Sequence, residues 1–344
     1  MTLAIAWGST LERIKFKAHI IFGLVFAGFI YPLVSHWVFG GGWLQSNVGM
    51  QDFAGSTAVH LIGATGALAA LLLLGPRRGR YGPDGTRRAI PGHSMPLAGL
   101  GVLILFIGWF GFNAGSTLNA TDIRFAEVAL TTILGGLGGV IGAFVATSLM
   151  QRTIDIGMIG NGLIGGLVAI TAPSGYIEAW PAPIIGVIAG GIVVAGILAI
   201  DKKLDDPVGA LSAHGLAGIW GTLSCGIFTS PALAKYNAFG DPNGGLWYSG
   251  SFKQLGYQAL GVVVVFAFVF VLSFLTFALI KATIGLRVSP DEEDAGLDIV
   301  EHGMYGYPEQ FIPAPEIGSA SFGPAAPAFS PAGPNIPTGK EVTA

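Results

Sequence analysis

Charged side chains are scarce in this 344-residue sequence. Lys, Arg, Asp and Glu make up 11% of the residues, whereas hydrophobic residues make up 52%. A soluble globular domain carries about 25% charged residues, so much of this protein's surface must face something other than water. The formal net charge of −3 gives no sign of a nucleic-acid partner, and we expect none.

Cysteine is nearly absent as well. The single cysteine, Cys225, excludes an internal disulfide framework. The 54 glycines show no G-X-Y period, which excludes a collagen-like chain. Apolar helices rich in glycine are typical of membranes, where small residues let backbones approach closely. No basic segment precedes the first apolar run, so we expect no cleavable signal peptide.

Long uncharged apolar stretches, by contrast, recur along the chain. A membrane-spanning helix needs about 20 apolar residues. Eight stretches approach that length: Ala18–Val38, Ala54–Gly75, Met95–Asn113, Ala126–Met150, Ile156–Ala172, Ala182–Ile200, Pro207–Thr229 and Leu255–Lys281. We therefore predict an all-α polytopic membrane protein, embedded in a lipid bilayer, with about eight full transmembrane helices.

Basic residues concentrate in alternate loops. Thirteen Lys and Arg residues fall in one set of loops, and only Arg124, Lys235 and Lys253 fall in the other. The positive-inside rule assigns the richer set to the cytoplasm, and eight spans then leave both chain ends there. We predict four parts: the end of a transmembrane helix (1–9), a transmembrane domain (10–284), a cytoplasmic segment (285–308) and a disordered tail rich in Pro, Gly and Ala (309–344).

Two segments share an Asp-x7-His pattern, "DFAGSTAVH" (52–60) and "DPVGALSAH" (206–214). Each aspartate stands at a predicted helix start, where it can cap free backbone N–H groups. Each histidine follows about two turns later, near the bilayer middle. The loop charges make the first segment start outside and the second inside, which is the pattern of an inverted-topology repeat with a site at the repeat interface.

This repeat predicts that His60 and His214 meet. Two such histidines satisfy one nitrogen of each other and leave a nitrogen for a pore that passes a proton or a polar solute. Alternatively, each histidine only bonds a neighbouring helix. We count Asp52 among the substrate-binding residues and Asp206 as a structural helix cap, although capping alone could explain both. Two histidines without a nearby acid are too few for a closed zinc site, so we expect no bound metal and no cofactor. We also expect that the protein is not an enzyme.

Four motifs occur in order over residues 8–308: "DFAGSTAVHLIGATGALAALLLLGPRRGRYG", "GWFGFNAGS", "DDPVGALSAHGLAGIWG" and "GLRVSPDEEDAGLDIVEHG". Together they resemble the ammonium transporter (Amt/Mep/Rh) family, in its Amt branch. The resemblance implies a homotrimer of eleven-helix subunits in the cell membrane, each with a narrow hydrophobic pore. It also implies ammonium or methylammonium as substrate and a PII-type nitrogen regulatory protein as a partner at the cytoplasmic face.

By motif position, the resemblance assigns roles to five residues. The family's twin histidines fall on His60 and His214, its gate phenylalanine on Phe112, its vestibule serine on Ser116 and its vestibule tryptophan on Phe39. A phenyl ring is a weaker cation–π partner than indole and lacks the N–H group. We therefore expect weaker recruitment of ammonium unless the neighbouring tryptophan compensates.

Relative to the family, the sequence begins within the third helix. We expect a misassigned start or a fragment of a full-length transporter, and the alternative is a true truncation that is inactive. An ammonium sensor that signals nitrogen status is a further alternative. The low-complexity tail after Pro308 shows no domain pattern, which argues against an enzymatic output.

Overall fold

The structure is a computed structural model that describes residues 1–304 and 306. Its α-helices are α1 Thr2–Thr10, α2 Phe16–Val25, α3 Tyr31–Phe39, α4 Ile62–Leu74, α5 Met95–Asn113, α6 Ile123–Met150, α7 Ile156–Thr171, α8 Pro181–Ile200, α9 Ala217–Phe228, α10 Pro231–Asn237, α11 Leu246–Ser249, α12 Lys253–Thr283, α13 Pro290–Ala295 and α14 Leu297–His302. The predicted disorder of residues 309–344 falls outside the described residues.

Short polar side chains begin several of the long apolar helices. The side chains of Ser94, Asp122 and Asp155 accept hydrogen bonds from backbone N–H groups in the first turns of α5, α6 and α7. These bonds satisfy donors that have no partner within the helix. Gly75 ends α4 with a φ of 80°, a conformation that favours glycine over residues with a Cβ atom.

The described helices provide fewer full spans than the sequence predicted. Six are long and apolar enough to cross a membrane: Phe16–Val48, Ser56–Leu74, Met95–Thr117, Ile123–Met150, Pro181–Ile200 and Lys253–Thr283. A seventh counts only if Leu211–Phe228 and Pro231–Asn237, which are bent by 108° at their junction, form one span.

The expected stretch Ile156–Ala172 is confirmed as the helix Ile156–Thr171, but its 16 residues are fewer than the about 20 of a full span, so it is not among these six. Pro173 follows shortly after its end, and proline cannot continue a helix. The second half of α7 is fully buried among other helices. A helix surrounded by protein has no need to match the thickness of the lipid.

Glycines let α6, α7 and α8 pack backbone to backbone. A Cβ atom at Gly142 of α6 would lie 2.0 Å from the carbonyl oxygen of Val187 in α8. A Cβ atom at Gly139 would lie 2.2 Å from the carbonyl oxygen of Gly162 in α7. Any side chain there would force the helices apart, as expected where small residues allow close helix approach in membranes.

Helix α5 turns most of its surface outward. Ile104 and Ile107 are exposed, which suits a face in contact with lipid. Trp109 and Asn113, by contrast, are buried. The end of α5 thus presents aromatic and polar groups to the bundle centre, where the two histidine segments lie.

Candidate functional site

Both histidines lie on π-helical turns. His60 belongs to the turn Ser56–Leu61, which leads into α4, and His214 to the turn Leu211–Leu216, which leads into α9. Such turns are rare and frequent at functional sites. Each widens the helix at the histidine, and sequence periodicity does not reveal them.

The two rings are in direct contact. The Nδ1 atoms of His60 and His214 lie 3.1 Å apart, and the ring centroids lie 5.2 Å apart at 20°. One nitrogen must donate and the other accept, so the pair can be satisfied with both imidazoles neutral. The Nε2 atom of His60 is buried and has no hydrogen-bond partner, which leaves one polar atom free to meet a small solute.

The aspartate of the first segment holds its turn from the inside. The Asp52 carboxylate accepts four backbone hydrogen bonds, at 2.8 to 2.9 Å, from the consecutive residues Gly55, Ser56, Thr57 and Ala58. All four donors are at a helix start, where the helix itself offers no acceptor. With every oxygen used in this way, Asp52 is a helix cap in the described geometry.

The aspartate of the second segment makes fewer local bonds. Asp206 accepts a hydrogen bond from the Leu211 backbone at 2.8 Å. It accepts another from the hydroxyl of Ser9 in α1, at 2.9 Å. The second turn therefore depends on a side chain from a distant part of the chain.

Aromatic rings cover His60. Its ring lies nearly parallel to that of Trp109, with centroids 5.3 Å apart, and 5.7 Å from that of Phe112. The indole N–H of Trp109 donates to the Thr171 hydroxyl at 2.9 Å. Sequence reasoning did not single out Trp109, although its spacing of three residues from Phe112 places both on one helix face.

Ser116 lies one turn beyond Phe112. Its hydroxyl donates to the Phe112 carbonyl oxygen at 2.7 Å, and the serine is partly exposed. Because its hydrogen is used within the helix end, its oxygen can only accept from an incoming molecule. Ser116 and Phe112 therefore place an acceptor oxygen and an aromatic ring one turn apart, with the Phe112 ring beside His60.

Phe39 belongs to a different part of the bundle. It packs against the core cluster formed with α2, α3, α4 and α12, whereas Phe112 packs with Trp109 against a second cluster. Among the described residues, Phe39 makes no ring contact with Phe112. Trp37, the neighbouring tryptophan named as a possible substitute for the missing indole, packs its ring 4.7 Å from that of Phe268.

A cavity of about 600 Å³ lies on the other side of His214. It runs between α5, α7 and the second histidine segment, and most of its lining is apolar, including Val102, Leu163 and Ala213. His214 contributes a polar edge to it. In residues 1–304 and 306, no three His, Cys, Asp or Glu side chains form a group that could hold a metal ion.

The chain matches known proteins over most of its length. The sequence profile of the Ammonium Transporter Family matches residues 1–307. The ammonium transporter Amt2 of Archaeoglobus fulgidus is 43% identical over 311 residues, covering 88% of this chain and 66% of that protein. The ammonium transporter Amt1 of Haloferax mediterranei is 37% identical, covering 90% and 61%. The chain therefore spans about two thirds of the length of these curated relatives.

Solved structures give the same result. A protein described as "Sensor Amt Protein" superimposes with a TM-score of 0.79 at 37% identity, covering 87% of this chain and 73% of that one. The crystal structure of Candida albicans Mep2 superimposes with a TM-score of 0.77 at 28% identity, covering 85% and 64%. The arrangement of helices, the paired histidines and these similarities agree, and the chain is a multi-pass membrane protein that belongs to the ammonium transporter family.

Proposed function

We propose that this protein transports ammonium across a membrane. The observation that carries the proposal is the contact between His60 and His214 at 3.1 Å, in the middle of an apolar bundle. Phe112 lies beside His60, Ser116 lies one turn beyond Phe112, and the cavity borders His214. These groups support a path for a small polar solute past the histidine pair.

Capture takes place on the outer side. Ser116 offers an oxygen that accepts an N–H bond, and the face of Phe112 attracts a cation by about 0.5–2 kcal/mol, more as water is removed. Phe39 contributes through its ring at the end of α3, and Asp52 contributes through the turn that it holds. K⁺ has no proton to donate, so a directional acceptor favours ammonium over it.

Ammonium gives up its proton to water on the outer side, and NH₃ then passes through the apolar region. A charged ammonium ion in a dry apolar site is costly, whereas neutral NH₃ needs only hydrogen-bond partners. The histidine pair supplies these, with its unpartnered Nε2 atom at His60 and the exposed edge of His214. The solute then leaves through the cavity next to His214, toward the ends of α5 and α7 that the basic loops assign to the cytoplasm.

The proposal also covers the oligomeric state, the membrane orientation and the regulatory partner of the protein. We infer a homotrimer in the cell membrane with a cytoplasmic C-terminus, a transmembrane domain at 10–284 after a helix end at 1–9, and a cytoplasmic segment at 285–308. A PII-type regulator would dock on that cytoplasmic face. The basic loops support the orientation. The curated relatives named above are called transporters, so the sensor alternative gains no support from them.

Uptake of labelled methylammonium into proteoliposomes that contain the 344-residue chain tests the proposal. We expect saturable uptake, and we expect the double variant His60→Ala, His214→Ala to abolish it. Asp294→Asn, on the exposed surface, serves as a matched control that should transport normally. Unchanged uptake in the double histidine variant would exclude the proposed role of the pair.

A further inference from the structure

Ion pairs between arginines and Asp205 join the predicted cytoplasmic ends of the two histidine segments. Arg77 lies just beyond the end of α4, and Asp205 directly precedes Asp206. The Arg77 side chain forms two parallel hydrogen bonds to the Asp205 carboxylate, both at 2.9 Å, and its backbone N–H adds a third at 2.8 Å. This paired geometry fixes direction as well as distance.

A second arginine, Arg13, links the same two segments. Arg13 is fully buried. Its side chain donates to the carbonyl oxygen of Gly75 at 2.9 Å and to that of Asp205 at 2.9 Å. One guanidinium thus ties Gly75, the residue that follows α4, to the loop that starts the second histidine segment. We call Arg13, Arg77 and Asp205 the clamp.

The clamp differs from an ordinary surface ion pair. The side chains of Asp205 and Arg77 are 1% and 8% exposed, whereas Arg78 and Asp294 nearby are 48% and 57% exposed. Exposed pairs contribute little because water screens them. The buried clamp restricts relative movement between the two segments, since any shift would leave charged groups without partners.

We propose that the clamp positions His214 against His60, so that Asp205 is a positioning residue for transport. The inference rests on the proposed function and adds a residue to it. Asp205 neighbours Asp206, whose carboxylate starts the turn that carries His214. The Asp206 carboxylate takes hydrogen bonds from the Leu211 backbone and from the distant Ser9 hydroxyl, so the turn is not held by its own residues alone and its register relative to the first segment also depends on the clamp.

Two measurements on the full chain test this inference. In proteoliposomes, Asp205→Asn should lower the maximal rate of methylammonium uptake on the order of tenfold, because small misplacements of reacting groups have large effects. The half-saturating concentration should stay unchanged, since it depends on Phe112 and Ser116. In bilayers, solid-state ¹⁵N NMR of histidine-labelled protein should show altered signals from the pair, assigned by comparison with His60→Ala.

Controls separate positioning from loss of folding. Asp294→Asn breaks the exposed pair with Arg78 and should change neither measurement. Arg77→Lys keeps the charge but loses the paired hydrogen bonds, so it provides the test if Asp205→Asn does not fold. Histidine signals identical to those of the wild type in folded Arg77→Lys and Asp205→Asn would overturn the inference. Absence of uptake by the wild type would instead refute the proposed function, while the NMR comparison would still decide the role of the clamp.

Discussion

The two histidine segments share their spacing and their π-helical turn but differ in what supports them. In the first, Asp52 binds four backbone N–H groups of its own turn. In the second, Asp206 binds one backbone N–H and a hydroxyl from α1. One sequence pattern thus produces a self-contained turn and a turn that is held by distant residues.

The surroundings of the histidines follow the same division. His60 is buried under Trp109 and Phe112, whereas His214 is partly exposed and borders the cavity. The buried imidazole of His60 therefore meets the partly exposed imidazole of His214. The shared Asp-x7-His pattern therefore specifies the position of each histidine, whereas residues outside the pattern specify its environment.

The largest expected difference between the two segments is the loss of stability when each aspartate is replaced by alanine. Asp52→Ala leaves four backbone donors without acceptors in a dry site, so we expect a loss of about 3 kcal/mol or more in unfolding free energy. Asp206→Ala removes an ordinary cap, worth about 1 kcal/mol. Unfolding of both purified variants in detergent measures the difference. Equal losses would mean that the two turns are supported alike.

Acid should weaken the second segment through Asp205. Burial would raise the pKa of this carboxyl, but the hydrogen bonds and charges of Arg77 and Arg13 outweigh it and hold the pKa below its ordinary value. Its contribution to stability is therefore complete above about pH 4 and is lost as the pH falls through the lower folded-state value. Besides these arginines, Arg80 faces the carboxylate.

Melting temperatures between pH 3 and pH 7 check this expectation. The difference between the wild type and Asp205→Asn should be constant near neutral pH and should shrink at the acid end. The surface variant Asp294→Asn gives the reference curve. A difference that grew toward low pH would show that the sign of the Asp205 contribution is wrong.

A smaller loss of stability is expected from a change in the aromatic cover of His60. Trp109→Phe keeps a ring beside His60 but removes the hydrogen bond to Thr171, which is worth about 1 kcal/mol. Detergent unfolding measures the loss of stability. A loss several times larger would show that the indole ring, and not its N–H group, maintains the aromatic cover.

The smallest effect is expected at Ser9, which reaches only the second segment. Ser9→Ala removes one of the two hydrogen bonds to Asp206 that involve its carboxylate, at a cost of about 0.5–1 kcal/mol. Ser56→Ala is the matched variant in the first segment. The Ser56 hydroxyl donates to the Val168 carbonyl and accepts from the Ala172 backbone, so its removal should cost more than that of Ser9.

The sequence contained enough information to predict the meeting of the histidines. The Asp-x7-His pattern predicts similar depths for His60 and His214, the loop charges predict opposite directions, and the two rings are in contact. The sequence did not predict the π-helical turns, because six residues that mix small, polar and apolar side chains show no period that separates a π-helical from an α-helical turn. Trp109 was missed for a related reason, since a tryptophan in an apolar helix has no sequence feature that separates contact with histidine from contact with lipid.

The sequence did not reveal the long-range polar contacts either. Arg13 entered the sequence argument only as one of many basic loop residues, yet it is fully buried. Its partners Gly75 and Asp205 lie 62 and 192 positions away, and local patterns do not report such distances. The bounds of α7 were predicted to within one residue, but composition alone does not show that neighbouring helices cover its second half.

The π-helical turns also set the direction in which each histidine points. A turn of this kind holds one residue more than the α-helical turn it replaces, and removing that residue would rotate the preceding chain by about 100°. Both segments carry such a turn at the histidine, with seven residues between Asp and His in each. Deletion of one residue from either turn would therefore keep the histidine in the sequence but turn it away from its partner.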